Sequence, residues 1–184
     1  HNLVGDMDHI IIRPGIQYHH VKSNVSFLAG YSFFMFQPSG DGKTNTIEHR
    51  PFQDLDLRHG IGRIDLRHRY RFEQRFVQDQ PFIFRLRYSL FVNVPLNNET
   101  IVAKTWYIPL FNEVFVNTGE SFTARGFDRN WLYGGLGYQI TDQLGVQLGY
   151  MMQHRLGFLN QWDMDPKVWL SLHHNLHFGL NNAE

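Results

Sequence analysis

The chain has 184 residues, enough for one domain, and its 17 basic and 17 acidic side chains give a formal net charge of zero. Without a net positive field, and with acids mixed among the bases, the composition argues against nucleic-acid binding. Cysteine is absent, which excludes disulfides, thiol catalysis and Cys-ligated metals.

Segments in which apolar and polar residues alternate, bounded by turn residues, predict nine strands. Their approximate ranges are 9–20, 24–36, 48–59, 62–77, 81–95, 102–117, 127–140, 143–156 and 166–179. These strands are 12 to 16 residues long, against about 5–6 for strands of ordinary globular sheets. Long tilted strands suit a bilayer, which needs roughly 9–11 residues for each crossing, whereas no apolar run approaches the roughly 20 residues of a spanning helix. No composition shift marks a linker, so residues 1–184 are expected to form a single outer-membrane β-barrel domain.

The alternation is clearest in the fourth predicted strand, between Arg63 and Phe76. One set of alternate residues is almost wholly ionic, whereas the other is mostly apolar or aromatic. A soluble sandwich would bury the apolar set in its core, whereas a transmembrane barrel would turn it to lipid and pair the ions inside. The same pattern in the other strands, with Arg dominating the ionic set, favours an antiparallel up-and-down transmembrane β-barrel.

The connections between the predicted strands alternate in length. Short turns are expected at 21–24, 59–62, 97–99 and 141–143, and longer connections at 38–47, 118–126 and 157–165, with 78–81 as an exception. Bacterial outer-membrane barrels have short periplasmic turns, longer outer loops and an even number of strands. Nine strands would leave the N-terminus on the outer side. At least one further strand is therefore expected before His1, which gives ten or more in the native protein.

The ionic face supplies the candidate site, a lumen ion-pair network on adjacent strands. Its predicted members are Asp54, Asp56, Arg58, Arg63, Asp65, Arg67, Arg69, Arg71, Glu73, Arg75, Arg85, Arg87 and Glu113. Arginine suits such a network because its planar fork binds a carboxylate through two hydrogen bonds. The network can act as a structural plug, or as a cationic lumen or mouth that selects an anion or a lipid phosphate. The plug is favoured, since the interior of a narrow barrel is normally packed with side chains.

Metal binding and catalysis find little support in the spacing of residues. The 11 histidines form no HxH or HExxH motif, and His173 and His177 lie about 13 Å apart on one strand, too far to share a metal. Ser171, His173 and Asn175 share a face, but the two-residue spacing puts neighbours roughly 6–7 Å apart rather than in contact. No nucleophile motif is present. We therefore expect no cofactor, no metal and no catalytic residue.

Several segments carry a resemblance to a known family. They read EHR at 48–50, RHRYRFEQRF at 67–76, FRLRY at 84–88, NEVF at 112–115, FDRN at 127–130, GGLGY at 134–138 and LGY at 148–150. From Arg13 onward the chain resembles an uncharacterised bacterial family, the domain of unknown function number 2490, of secreted, barrel-like envelope proteins. Family members usually carry sequence upstream of Arg13, in agreement with the strand count. One departure is DRNW at 128–131, where DQNR is expected. The resemblance implies an architecture and no activity.

These observations predict a non-enzymatic small outer-membrane β-barrel of a Gram-negative cell envelope. It would act as a structural or accessory subunit of an envelope assembly. Its partners would be outer-membrane lipid or lipopolysaccharide and other outer-membrane proteins of a larger complex, contacted through the lipid-facing surface and the loops 38–47 and 118–126. Two alternatives stay open: a narrow anion or small-solute channel, and a lipid-modifying outer-membrane hydrolase.

Overall fold

The fold is a single antiparallel sheet curved into an open half-barrel. The computed structural model describes residues 9–20, 23–36, 45–118, 126–156 and 162–175. The strands are β1 His9–Ile12, β2 Gly15–His19, β3 Val25–Phe36, β4 Thr46–Ile61, β5 Ile64–Val77, β6 Ile83–Pro95, β7 Thr105–Thr118, β8 Phe127–Gln139, β9 Leu144–Leu156 and β10 Trp162–His174. From β3 to β10 each strand pairs with the next along the chain. The all-β, antiparallel prediction is therefore confirmed.

The first predicted strand, 9–20, is divided into β1 and β2, and both of them pair with β3. The division falls at Arg13 and Pro14, because proline has no backbone N–H to donate to the ladder. The backbone N–H of Tyr31 in β3 still donates to the carbonyl of Pro14 at 3.0 Å. The two short strands therefore occupy one position in the sheet, which makes nine positions among the described residues.

The connection between β6 and β7 is longer than the sequence predicts. It covers residues 96–104 rather than 97–99, because Asn97 forms side-chain hydrogen bonds in place of the backbone ladder. Its amide donates to the carbonyl of Lys104 at 2.9 Å, and its side-chain oxygen accepts from the N–H of Trp106 at 2.7 Å. The predicted alternation of short and long connections is therefore wrong at this position.

Other differences concern the ends of strands. The turn between β4 and β5 has only two residues, Gly62 and Arg63, and Gly62 has a φ of 57° that favours glycine. β10 begins at Trp162 rather than at residue 166, because an edge strand tolerates Pro166. The predicted strand residues 176–179, the loop residues 38–44 and 119–125, and residues 157–161 lie outside the described part of the chain.

The two faces of the half-barrel differ sharply in burial. On the concave face, Glu48, Glu73 and Met151 are each 1% exposed. On the convex face, Ile16 is 84% exposed and Val168 is 77% exposed. Strand register assigns the alternate residues of each strand to one face or the other. The buried core therefore lies entirely inside the curve.

Charge follows the same division. Within the strands that the structure describes, every Asp, Glu, Lys and Arg lies on the concave face. The convex face carries aliphatic and aromatic residues, with a few histidines, glutamines and asparagines. No helix in the described ranges is long and apolar enough to cross a membrane.

Glycines on the concave face make room for large aromatic rings from the neighbouring strand. A Cβ at Gly137 in β8 would lie 2.3 Å from the ring of Tyr107 in β7, and a Cβ at Gly149 in β9 would lie 2.5 Å from the ring of Tyr133 in β8. Gly30 in β3 makes room for Phe52 in β4 in the same way, since a Cβ at Gly30 would lie 2.3 Å from the ring of Phe52. These ring positions fill the concave face without distorting the backbone.

Replacing Gly137 with alanine should lower the free energy of unfolding by about 1–3 kcal/mol, the usual cost of overpacking a core. The matched control is Gly134→Ala on the convex side of β8, where the new Cβ would lie 3.2 Å from a methyl group of Leu110 that can rotate away. Urea unfolding followed by tryptophan fluorescence measures both variants. Equal effects of the two substitutions would contradict the proposed packing of Tyr107 on glycine.

Candidate functional site

An ion-pair network covers the concave face from β4 to β8, and Glu73 in β5 lies at its centre. The Glu73 side chain is 1% exposed. Four guanidinium groups lie within 4.0 Å of its carboxylate: Arg87 at 2.7 Å, Arg50 at 3.6 Å, Arg71 at 3.9 Å and Arg85 at 4.0 Å. Strands β4, β5 and β6 each contribute to this group, so one carboxylate links three strands.

A second carboxylate, Glu113 in β7, extends the network by one strand. Its Oε1 accepts hydrogen bonds from Nε of Arg87 at 3.0 Å, from Arg69 at 2.9 Å and from the hydroxyl of Ser89 at 2.7 Å. Arg87 therefore links Glu73 to Glu113 across β6. Charge-assisted hydrogen bonds of this kind are stronger than neutral ones.

Two pairs between β4 and β5 are bidentate. Arg71 donates to both oxygens of Asp54, each at 2.6 Å, and the register places these two residues directly opposite each other. Arg75 donates to both oxygens of Glu48, at 2.7 and 3.0 Å. Glu48 also accepts a hydrogen bond from Nε of Arg50 at 2.8 Å. The planar fork of arginine fits a carboxylate in this geometry.

The network ends in β8, where a change of register lies beside Phe115 and Val116 of β7. Asp128 at this irregularity pairs with Arg85 at 3.0 Å and with its neighbour Arg129 at 2.7 Å. The Nε of Arg85 also donates to Asn117 at 2.7 Å. A bulge of this kind can redirect a side chain, and here an acid joins the concave face.

The structure brings together most, but not all, of the predicted set. Eight predicted members take part in the ion-pair network: Asp54, Arg69, Arg71, Glu73, Arg75, Arg85, Arg87 and Glu113. Arg67 and Asp56 form a separate and longer pair at 3.8 Å, and Asp65 accepts only from Asn93, at 3.4 Å. Arg58 and Arg63 are exposed, and neither forms an ion pair with any residue in the described ranges.

Sequence reasoning missed four members of the network. Glu48 and Arg50 have the same parity as Asp54 in β4, so extending the alternation upstream would have found them. Asp128 and Arg129 reach the network because the register changes in the pairing of β7 with β8, and no sequence pattern predicts that change.

A cationic cavity of about 650 Å³ lies beside the network. Its walls include Phe36 at the end of β3, Thr46 at the start of β4 and Val77 at the end of β5. The charged residues that line it are one carboxylate and six arginines: Glu48, Arg13, Arg50, Arg75, Arg85, Arg87 and Arg129. The cavity has the size of a small-molecule site.

Aromatic rings hold several of these arginines in place. The guanidinium of Arg50 lies 4.2 Å from the ring centre of Phe34, and that of Arg87 lies 4.4 Å from the ring centre of Phe115. Arg13 lies near Phe34 at 5.7 Å. Cation–π contacts stabilise a guanidinium while leaving the N–H groups at its edge free to bind a ligand.

The hydrolytic alternative is incomplete in the described residues. Ser171 Oγ and His173 Nε2 lie 3.1 Å apart, so the expectation that these side chains do not touch is wrong: the side chains close the gap that the backbone leaves. No acid or amide in the described ranges forms a hydrogen bond with His173, and a hydrolytic triad needs that third group. No group of three His, Asp or Glu residues in the described ranges is arranged to hold a metal ion.

Comparison with known proteins gives two matches. The profile of the family described as "Protein of unknown function (DUF2490)" matches residues 1–164. An uncharacterised protein of Methylorubrum extorquens strain AM1 is 30% identical over 158 residues, which cover 83% of this chain and 66% of that relative. The chain therefore spans just under two thirds of the relative's length. No solved structure matches the chain significantly.

Proposed function

The chain belongs to the family described as "Protein of unknown function (DUF2490)", a description that assigns no activity, and we propose that it is a non-enzymatic β-barrel component of the bacterial outer membrane. One observation carries this proposal. The convex face of the described strands lacks Asp, Glu, Lys and Arg, whereas the concave face holds the ion-pair network. Lipid-out, polar-in alternation is typical of outer-membrane barrels.

The exposed side chains on the convex face support lipid contact. Large apolar residues there include Phe27 at 52% exposure, Leu132 at 53%, Leu148 at 56% and Leu170 at 73%. They recur on strands from β3 to β10, so they form one broad apolar surface rather than isolated residues. Surfaces of this extent mark contact with a membrane or another protein. Outer-membrane lipid or lipopolysaccharide is the proposed partner of this face.

The ion-pair network supports a structural role on the concave face. It links β4 to β8 through carboxylates, and four of them bind two or more arginines each: Glu48, Glu73, Glu113 and Asp128. These contacts support a network that fixes the register of the strands. The Glu73 and Arg87 side chains are 1% and 7% exposed, which leaves little room for a continuous water path at this level. We therefore propose a barrel with a closed interior that serves as a structural or accessory subunit of an envelope assembly with other outer-membrane proteins.

Planar-bilayer recording tests the closed interior. Reconstituted protein should show no steady ion conductance, because the network occupies the concave face. A porin reconstituted in the same way confirms that the bilayers report open pores, and flotation of vesicles with the protein confirms incorporation. A steady, anion-selective conductance would contradict the closed interior and would favour a narrow anion channel, the alternative to which the excess of arginines points.

A further inference from the structure

We propose that the cationic cavity binds an organic phosphate. The cavity lies at the end of the half-barrel where β3, β5 and β7 end. This inference depends on the concave face alone, and it holds whether the convex face contacts lipid or protein.

The charge around the cavity is not balanced within the described residues. The cavity walls and the adjoining network together hold eight arginines and five carboxylates: the arginines are 13, 50, 69, 71, 75, 85, 87 and 129, and the carboxylates are Glu48, Asp54, Glu73, Glu113 and Asp128. These described residues therefore carry a net excess of three positive charges, although each of these arginines except Arg13 lies within 4.0 Å of a carboxylate. Arg50, Arg71, Arg85 and Arg87 are buried, and because buried charges are normally balanced, an anion at this position would offset the excess.

Individual donors at the cavity also lack partners. Arg13 donates from Nε to the hydroxyl of Ser32 at 2.9 Å and forms no ion pair with any residue that the structure describes. Arg129 uses Nε for Asp128, and no hydrogen bond from its terminal nitrogens to the described residues is found. Trp131 lines the cavity, and its buried indole N–H has no hydrogen-bond partner among the described residues. These groups are all donors, so the ligand must supply acceptors.

The chemistry of the walls defines the class of ligand. A phosphate monoester carries close to two negative charges and presents three acceptor oxygens, which several guanidinium forks can bind at once. Phe36, Val77 and Phe115 supply apolar surface beside the arginines, which suits the organic part of the molecule. The phosphate can belong to a soluble ester or to a lipid headgroup, since both present the same group.

Arg13 and Arg129 are the residues to change, because neither anchors the centre of the network. The probes are glycerol 3-phosphate and inorganic phosphate, added to the purified full chain, with glycerol and with sodium chloride of equal ionic strength as controls. Glycerol 3-phosphate should raise the midpoint of thermal unfolding, because a ligand that binds only the folded state stabilises it. Arg13→Gln and Arg129→Gln should each weaken binding about tenfold, the loss expected for a charge-assisted hydrogen bond.

Arg58→Gln is the matched control, since Arg58 is an exposed arginine at the opposite end of β4. It should leave the affinity unchanged, and Arg13→Lys should restore part of the binding that Arg13→Gln removes. Vesicles of phosphatidylcholine with and without phosphatidic acid separate the two sources of phosphate. Binding of phosphatidic acid alone assigns a lipid headgroup, and binding of glycerol 3-phosphate assigns a soluble ester.

Two results would overturn the proposal. The first is that neither glycerol 3-phosphate nor phosphatidic acid binds more tightly than its control. The second is that Arg13→Gln and Arg129→Gln bind phosphate as tightly as Arg58→Gln does, which would place the phosphate elsewhere on the protein.

Discussion

Replacing Glu73 with alanine is expected to lower the free energy of unfolding by about 3–5 kcal/mol, the cost of removing one partner from a buried ion pair. The reason is the number of charges that depend on this one carboxylate. Arg50, Arg71, Arg85 and Arg87 all lie within 4.0 Å of it. Without Glu73 these guanidinium groups, whose side chains are at most 10% exposed, repel one another.

The measurement is urea unfolding of the reconstituted protein, followed by tryptophan fluorescence. Glu99→Ala is the control, because Glu99 is an exposed acid in the connection between β6 and β7. An exposed substitution of this kind should change the free energy of unfolding by no more than about 0.5 kcal/mol. If Glu73→Ala costs no more than Glu99→Ala, the network does not stabilise the sheet.

A double-mutant cycle separates charge from packing. Glu73→Gln keeps the shape of the side chain and removes its charge, and Arg87→Gln removes the charge of the closest partner, at 2.7 Å, while shortening the side chain. The two changes together should cost less than the sum of the single changes, with a coupling of about 0.5–3 kcal/mol for residues in direct contact. Strict additivity would show that the pair contributes no interaction energy of its own.

The fold is largely predictable from the sequence because one physical constraint repeats. In β5, Arg69, Arg71 and Glu73 alternate with Tyr70 and Phe72, and a period of two fits only a strand. The pattern assigns each residue to a face, and a slip of one residue would turn every charge outward. The strand ranges and the ionic face therefore follow from local sequence.

The partners of each charge do not follow from local sequence. Asp54 meets Arg71 rather than Arg69 because the two-residue turn at Gly62 sets the register of β4 against β5. Asp128 reaches Arg85 through an irregularity in the β7–β8 pairing. Register and bulges depend on the geometry of the turn and on the packing of neighbouring strands, and the alternation is the same for several registers.

The cavity was still harder to foresee. The sequence shows an excess of arginine on one face, but Arg13, between β1 and β2, and Arg129, in β8, lie far apart in the chain. They meet at one cavity because the sheet curves. The curvature of the sheet brings the end of β3 and the start of β8 to the same cavity. This curvature arises from the twist between neighbouring strands, which adds up over the whole sheet. Only the assembled sheet therefore shows which arginines lack a carboxylate.

Replacing Leu132 with arginine should destabilise the reconstituted protein by about 2–4 kcal/mol, the cost of a cation on the lipid face near the middle of a bilayer. Leu132 lies midway along β8, is 53% exposed and belongs to the convex face. Urea unfolding in vesicles measures the cost. At a position this exposed, a protein surrounded by water should accept arginine with a change of no more than about 0.5 kcal/mol.

Two controls separate the cost of placing a charge deep in the bilayer from the cost of losing the leucine side chain. Leu132→Gln removes the same apolar side chain without adding a charge, so it should cost less than Leu132→Arg. Ile140→Arg adds the charge to an exposed residue just beyond the end of β8, where the expected cost is about 0–1 kcal/mol because the side chain reaches the interface. If Leu132→Arg and Ile140→Arg lower the free energy of unfolding equally, the convex face is not in contact with a hydrocarbon layer. The apolar surface would then have to be covered by another protein rather than by lipid.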